Sequence, residues 1–446
     1  MKLNYIKSKY VKSRVINNAI SFSGLNLATA LTQFFFPPLM ILLYGLENFG
    51  IWIFLSSIPG IFNLLNFNFN AAATTEMSIF FNKRKIKKIN QIFNNSILLI
   101  LVTILILFIT SFIIIQNFDF NIKILSNINN EILYKILICI FGSLILSCFN
   151  DIFKTSLSYQ GKYYISNYID ISFDILSKVL IIIFGFFSNN LLNAAYGLLI
   201  SRSISTFAFF LCYVKFNKYL KIDLIYSVDK RVIINLIKLS IPYYFQTCSG
   251  ILKHSIQIFI LGSFFGANLV GMVSTLKTLF YFFPLKFWSI VSRTIFYEFT
   301  KLFAEKKFLK LKKLFYFFLK LCLFYLTIYF SFSFFAGDHV YRLWLDSNYD
   351  LDTMLFILII LDLVFFIFSG SIIHLNKSIN NFLPFTSTEI ILNLLILFFC
   401  YYLFLNNYSY NYIFIFNLLA SIALTIFGYF NIKLLFKNNF KIRKKT

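Results

Sequence analysis

The sequence has 446 residues, of which 59% are hydrophobic and only 13% are charged, and its mean hydropathy is +0.77. Soluble domains carry about a quarter charged residues, so this composition excludes a soluble enzyme or binding domain as the main body of the chain. The net charge of +24 is also compatible with nucleic-acid binding. The positions of the basic residues along the chain, described below, argue against that alternative.

Twelve apolar stretches follow one another along the chain, and each is long enough to cross a bilayer as a helix. The first is longer than the apolar core of a signal peptide and lacks a small-residue cleavage pattern, so we expect it to be a membrane span. The sequence therefore predicts an all-α polytopic membrane protein with twelve transmembrane helices. The predicted spans are approximately 17–44, 49–71, 91–116, 132–152, 163–187, 191–214, 236–263, 268–298, 314–336, 354–374, 379–405 and 409–435.

Basic residues are concentrated on one side of this predicted topology. Most of the 41 Lys and Arg residues lie in the two terminal segments and in alternate loops, of which 83–88 and 301–320 are the most basic. The opposite loops contain only Lys123, Lys135 and Arg342. Because basic loops remain in the cytoplasm, we expect both termini to be cytoplasmic. The charge is thus explained by topology, and no nucleic-acid partner is expected.

The two halves of the chain repeat one pattern. Gly45-Leu-Glu-Asn-Phe-Gly-Ile-Trp opens the second span and Gly266-Ala-Asn-Leu-Val-Gly-Met-Val opens the eighth, and a basic loop follows each span. The offset is half the chain and joins spans of the same orientation, as in transporters built from parallel repeats. We therefore predict an N-terminal six-helix lobe (1–216), a cytoplasmic linker (217–231) and a C-terminal six-helix lobe (232–446).

Several basic residues lie inside the spans, where a charge is expensive unless it faces water or a protein-lined interior. At a rise of about 1.5 Å per residue, Arg202, Lys253 and Lys277 lie near the middle of the membrane. We interpret them as cations that bind an anionic substrate, and pairing with intramembrane acids such as Asp362 is the alternative. The candidate substrate-binding residues are Arg202, Lys253, Lys277 and Lys286.

Polar side chains recur at helical spacing in the first, second and seventh spans, which places each set on one helix face. Such a face lines either a cavity or a contact between helices. The candidate lining residues are Asn26, Gln33, Asn66, Gln246 and Gln257.

Three intramembrane acids, Asp170, Asp174 and Glu389, are candidates for carrying a proton or another coupling ion. Structural pairing is the alternative: Lys178 follows Asp174 by one helical turn and predicts a local ion pair, which leaves Asp170 for Arg202 or a cation. The six cysteines and three histidines show no metal-ligand spacing. We expect no metal, no cofactor and no catalytic residue.

The two parallel six-helix halves, the opening Gly45-x4-Gly50-x-Trp52 and the basic loops after spans two and eight resemble O-antigen or polysaccharide flippases of the Wzx type. These belong to the MATE-like multidrug, oligosaccharidyl-lipid and polysaccharide exporter superfamily. The resemblance implies two six-helix bundles around a central cavity and alternating access. It also implies an undecaprenyl-diphosphate-linked oligosaccharide as substrate, moved from the inner to the outer leaflet of a bacterial cytoplasmic (inner) membrane. Polysaccharide polymerase and chain-length proteins are the implied partners.

Two alternatives remain open. A MATE-type drug or cation exporter shares the fold, but its cationic substrates favour an acidic cavity, whereas here bases predominate at mid-membrane. An O-antigen polymerase is a membrane enzyme that carries a large outer loop with catalytic arginines, whereas the only predicted outer arginine is Arg342.

Overall fold

The structure is a computed structural model that describes residues 2–117, 123–125, 128–187, 190–217, 220, 222–223, 228–345, 351–378 and 382–442. Within these ranges the regular structure is helical and no strand occurs. The α-helices are α1 (Lys2–Phe62), α2 (Phe69–Asn82), α3 (Ile86–Asn117), α4 (Asn130–Ser158), α5 (Tyr163–Phe187), α6 (Leu191–Phe216), α7 (Lys230–Ile251), α8 (Gln257–Phe265), α9 (Ala267–Lys277), α10 (Phe283–Ala304), α11 (Phe308–Leu345), α12 (Thr353–Ser378), α13 (Leu383–Leu405) and α14 (Asn411–Ile442). Short 3₁₀ turns occur at Asn63–Leu65 and Lys123–Leu125, and π-helical turns at Leu252–Ile256 and Thr278–Phe282.

Nine helical stretches in the described part of the chain are long and apolar enough to cross a membrane. The first of them, Ile20–Leu65, is 46 residues long and contains two predicted spans, because the backbone leaves the helical conformation at Gly45. The helices α5 and α10 are not among the nine, since each carries three or more charged residues. They nevertheless occupy the fifth and eighth predicted spans. The predicted all-α, twelve-span membrane fold is confirmed.

Contacts between Cα atoms group the chain into two compact units. The first unit is Met1–Thr247 with Gly266–Asn268, where α4 and α5 pack on α6 and α1 packs on α5. The second unit is Cys248–Phe265 with Leu269–Thr446, where α12 packs on α14, α11 and α10. The lobe boundaries set from the sequence at 217–231 stay a prediction, and part of that linker lies outside the described residues.

The two glycines that open the sequence repeat share an unusual backbone conformation. Gly45 has φ +81° and Gly266 has φ +89°, a region that residues with a Cβ rarely adopt. A Cβ built on either glycine would meet no atom within 4 Å. Glycine is therefore required at both positions by the backbone and not by packing.

The π-helical turn Thr278–Phe282 is linked to the proline that follows it. Pro284 has no N–H to donate to the carbonyl of Phe280, and a freed carbonyl inside a membrane needs another donor. The hydroxyl of Tyr329 donates to this oxygen at 2.6 Å, and Tyr325 donates to the carbonyl of Pro284 at 2.7 Å. Two tyrosines of α11 thus stabilise the break between α9 and α10.

Candidate functional site

A buried ion pair lies in the core of the second unit. Lys253 belongs to the π-helical turn after α7, and its Nζ lies 3.2 Å from Oδ2 of Asp362 on α12. Both residues are 7% exposed. Ser421 of α14 donates to Asp362 Oδ1 at 2.5 Å, and the ring of Phe366 lies 4.2 Å from Lys253 Nζ. The extra residue in the π turn re-aims the side chains that follow it, which is why such turns recur at functional sites.

A second buried lysine acts on the same carboxylate. Lys277, at the end of α9, is 8% exposed and interacts electrostatically with both Asp362 and Lys253. Its Nζ lies 5.4 Å from the ring centroid of Phe414. Among the residues that the structure describes, no carboxylate lies within ion-pair distance of Lys277. Two buried lysines therefore share one carboxylate, and this cluster of Lys253, Lys277 and Asp362, hereafter the lysine cluster, carries an excess positive charge.

Amide side chains surround the lysine cluster and pair with one another. Gln257 and Asn417 exchange two hydrogen bonds of 2.8 and 3.0 Å, and Asn393 donates to Ser249 Oγ at 3.3 Å. Gln257, a predicted lining residue, thus makes a contact between helices, and a role in lining a cavity stays a prediction. Sequence reasoning missed Asn417 and Ser421. Their helical spacing with Thr425 on α14 is the signal that indicates this polar face.

In the first unit, the candidate carboxylates are held by lysines. The predicted Asp174–Lys178 pair is confirmed, and Asp174 also accepts a hydrogen bond of 2.9 Å from Thr32. Asp170 pairs with Lys154 of α4 at 2.9 Å. Sequence reasoning left Asp170 for Arg202 or a cation and missed Lys154, which lies just beyond the predicted fourth span. Whether these acids carry a coupling ion stays a prediction.

Arg202 of α6 lies against an aromatic ring. Its guanidinium carbon is 3.6 Å from the ring centroid of Phe173, and it interacts electrostatically with Asp170 and Asp151. Its Nε is buried and has no hydrogen-bond partner in the described part of the chain. Arg202 belongs to the first unit and the two cluster lysines belong to the second. A shared role of the three in one cavity stays a prediction.

A polar cavity of about 360 Å³ lies in the first unit between the first half of α2 and the predicted cytoplasmic ends of α4 and α5. The Lys154–Asp170 pair forms part of its wall. Hydroxyl and amide side chains line the remainder, and those of Thr74, Ser158 and Tyr243 have no side-chain hydrogen bond to another described residue. The cavity is therefore neutral in net charge and rich in hydroxyls that are available to a polar ligand.

The other predicted lining residues have varied surroundings. Asn26 donates to the carbonyl of Phe22 on its own helix at 3.0 Å, and Gln246 is exposed. Asn66 donates to Asp151 Oδ2 at 3.4 Å. Gln33 has a buried Oε1 without a partner among the described residues. A role for these residues in lining a transport path stays a prediction.

The remaining two candidates, Lys286 of α10 and Glu389 of α13, are both partly buried. Both lie in the second unit, and their predicted roles stay predictions.

Solved structures with the same architecture cover nearly the whole chain. A multidrug resistance MATE family transporter of the MOP superfamily in an inward-facing conformation matches with a TM-score of 0.69 at 16% identity, over 93% of this chain and 96% of that chain. A multidrug resistance MATE family transporter of the MOP superfamily in an outward-facing conformation matches with a TM-score of 0.61 at 15% identity, over 96% of each chain. A MOP superfamily transporter from Pyrococcus furiosus matches with a TM-score of 0.57 at 17% identity, over 95% of this chain and 96% of that chain.

The chain therefore has a MATE-like fold, and it is a multi-pass membrane protein. No protein-family model and no curated protein matches the sequence. The similarity shows the fold, whereas membership of the MATE-like superfamily and the finer flippase assignment stay predictions.

Proposed function

We propose that this protein is a membrane transporter that moves an undecaprenyl-diphosphate-linked oligosaccharide from the inner to the outer leaflet by alternating access. The observation that carries the proposal is the excess positive charge of the lysine cluster, where Lys253 and Lys277 share Asp362. A buried cation without a full counter-charge is expensive in a membrane, so it marks a functional position. An arriving phosphate supplies the missing negative charge, and lysine binds phosphate as a point charge.

The polar cavity of the first unit supports the proposal that the substrate includes a saccharide. Its charged pair, Lys154 and Asp170, is internally neutralised, while hydroxyls such as those of Thr74 and Tyr243 remain available. Sugars are uncharged polyols that both donate and accept hydrogen bonds. A neutral, hydroxyl-rich wall suits them better than it suits a drug cation.

A MATE-type exporter of drugs or cations is the second candidate, because a multidrug resistance transporter has the same fold. The Pyrococcus furiosus transporter is described as having a binding pocket of reverse polarity that suggests a different function. Pocket charge thus differs among proteins of this fold, and the basic cluster favours an anionic substrate here. A cytoplasmic-membrane location with both termini in the cytoplasm is part of the proposal, as is handover of the product to polysaccharide polymerase and chain-length proteins.

Transport by reconstituted protein tests the proposal. In liposomes that contain a lipid-linked oligosaccharide, we expect the wild type to expose the sugar to an added glycosidase or lectin. Lys277→Ala should slow this step at least about tenfold, which corresponds to about 1.4 kcal/mol, and Lys277→Arg should retain part of the rate. The control Lys135→Ala removes an exposed lysine and should transport normally. Normal flipping by Lys277→Ala, or transport of organic cations by the wild type with no flipping, would contradict the proposal.

A further inference from the structure

A groove lies on the second unit where α11, α12 and α14 meet at their predicted cytoplasmic ends. It encloses about 330 Å³. Its floor is apolar and includes Phe315, Ile372 and Phe436, and the first and last of these rings lie 6.1 Å apart between centroids. Lys312 and Lys433 also line it. The groove therefore combines an apolar surface with two cations, which is the profile of a site for an anionic amphiphile.

Among the described residues, the charged side chains that line the groove are both basic. On α11 the first acidic residue after Lys312 is Asp338, about 40 Å further along the helix. The sequence contains no acid after Glu389, so α14 provides none. Lys433 is exposed, and within the described residues no carboxylate lies at ion-pair distance from it. An anion that enters this groove therefore meets no acidic side chain from α11 or α14. The acid of α12, Asp362, is about 15 Å along that helix from Ile372.

Two tyrosines complete the lining. Tyr316 and Tyr429 are both exposed and both line the groove, and Lys312 Nζ lies 5.9 Å from the ring centroid of Tyr316. Tyrosine favours the level of the lipid headgroups, where its ring is in an apolar layer and its hydroxyl is in water. Basic pockets between transmembrane helices on the cytoplasmic side bind anionic headgroups.

We propose that this groove binds the phosphate headgroup of an anionic glycerophospholipid of the inner leaflet. Lys312 and Lys433 contact the phosphate, and the acyl chains lie against Phe315 and Phe436. Among the described residues, the lining contains no Asn, Gln, Asp or Glu side chain, so a linked oligosaccharide would find few hydrogen-bond partners here. The groove is thus a lipid site apart from the lysine cluster and from the polar cavity. The proposal does not depend on which substrate is transported.

Lipid binding by the purified full-length chain tests this site. We would measure phosphatidylglycerol binding by native mass spectrometry from detergent, with phosphatidylcholine as the neutral reference. The double substitution Lys312→Ala/Lys433→Ala should weaken phosphatidylglycerol binding about tenfold or more, because each lysine near a headgroup contributes about 1 kcal/mol. The double substitution Lys312→Arg/Lys433→Arg should retain it. The matched control Lys313→Ala/Lys320→Ala removes two exposed lysines of the same helix that do not line the groove, and should change binding less than twofold.

Three results would overturn the proposal. Equal weakening in the groove variant and in the control would show diffuse attraction of lipid to basic loops. Tighter binding of a polyprenyl phosphate than of phosphatidylglycerol, lost in the groove variant, would assign the groove to the carrier lipid. If inorganic phosphate alone binds, and the groove variant weakens its binding to the same extent, no lipid is needed. Circular dichroism and size-exclusion profiles check folding, and Lys312→Gln/Lys433→Gln replaces the alanine variant if that variant does not fold.

Discussion

Lys253 Nζ lies 3.2 Å from Asp362 Oδ2, and this buried pair joins the turn after α7 to the middle of α12. Lys277 acts on the same carboxylate from the end of α9. Asp362 is therefore the counter-ion for two cations, whereas each lysine has only part of one anion. Loss of the acid is expected to be more harmful than loss of either base.

Asp362→Asn should destabilise the protein by about 3–5 kcal/mol, because it leaves two buried lysines without a counter-charge. The double substitution Asp362→Leu/Lys253→Met should restore much of that loss by removing charge from both partners. Thermal unfolding in detergent, followed by a thiol-reactive dye that reports exposure of the buried cysteines, measures this. The control Asp338→Asn breaks an exposed pair with Arg342 and should cost less than about 1 kcal/mol. Equal stability of Asp362→Asn and the wild type would show that the pair is not formed.

Tyr329→Phe should cost about 1–3 kcal/mol, because it removes the donor to the Phe280 carbonyl that Pro284 leaves free. The same dye-based unfolding measurement applies. Tyr402→Phe is the control, since Tyr402 is exposed and its hydroxyl has no side-chain hydrogen bond to another described residue. If both variants unfold alike, the carbonyl obtains its hydrogen bond elsewhere.

Gly45→Ala and Gly266→Ala should each destabilise by about 1 kcal/mol or more, because alanine is strained at positive φ. Gly250→Ala is a control for which the expected change in stability has the opposite sign. It lies in helical backbone, and its added Cβ would also meet nothing within 4 Å. Alanine there should be neutral or stabilising by up to about 1 kcal/mol. A loss of stability in all three variants would indicate crowding and not backbone strain.

Tyr410, which directly precedes α14, donates a hydrogen bond of 2.5 Å to Oδ2 of Asp352, which directly precedes α12. Burial and this hydrogen bond raise the pKa of Tyr410 from 10.0 to about 12. The folded state therefore favours the protonated phenol, so its contribution to stability is complete below pH 10 and is lost as the pH rises toward 12. The difference in phenolate absorbance between wild type and Tyr410→Phe, titrated from pH 9 to 12.5, measures this pKa. Titration near pH 10 would contradict the contact.

The predicted orientation is tested by labelling single cysteines introduced at two described positions. A membrane-impermeant thiol reagent added to intact cells should label Glu131→Cys and leave Lys85→Cys unlabelled until the cells are opened. The unsubstituted protein is the control, because five of its six cysteines are buried and Cys212 is half-buried. The reverse pattern would invert the topology and with it the proposed direction of transport.

The sequence by itself determined the number and type of spans, since twelve apolar stretches leave the chain no other way to satisfy its backbone in a membrane than as helices. It also located the repeat from the residue pattern, and the two glycines that open the repeat both have a positive φ, which residues with a Cβ rarely adopt. The Asp174–Lys178 pair followed from helical spacing alone. All three depend on neighbours along the chain.

Only the tertiary structure decided which charges meet across helices. Lys253 and Asp362 are 109 residues apart, and the sequence offered several acids of similar depth as partners. Lys154 lies near the cytoplasmic end of α4, where basic residues are common in any membrane protein. Only the packing of α4 against other helices shows that it pairs with Asp170. Helical spacing determines which face of its helix a residue occupies. It does not determine which other helix packs against that face. The excess charge of the lysine cluster and the floor of the lipid groove are therefore properties of packing, because their members come from separate helices.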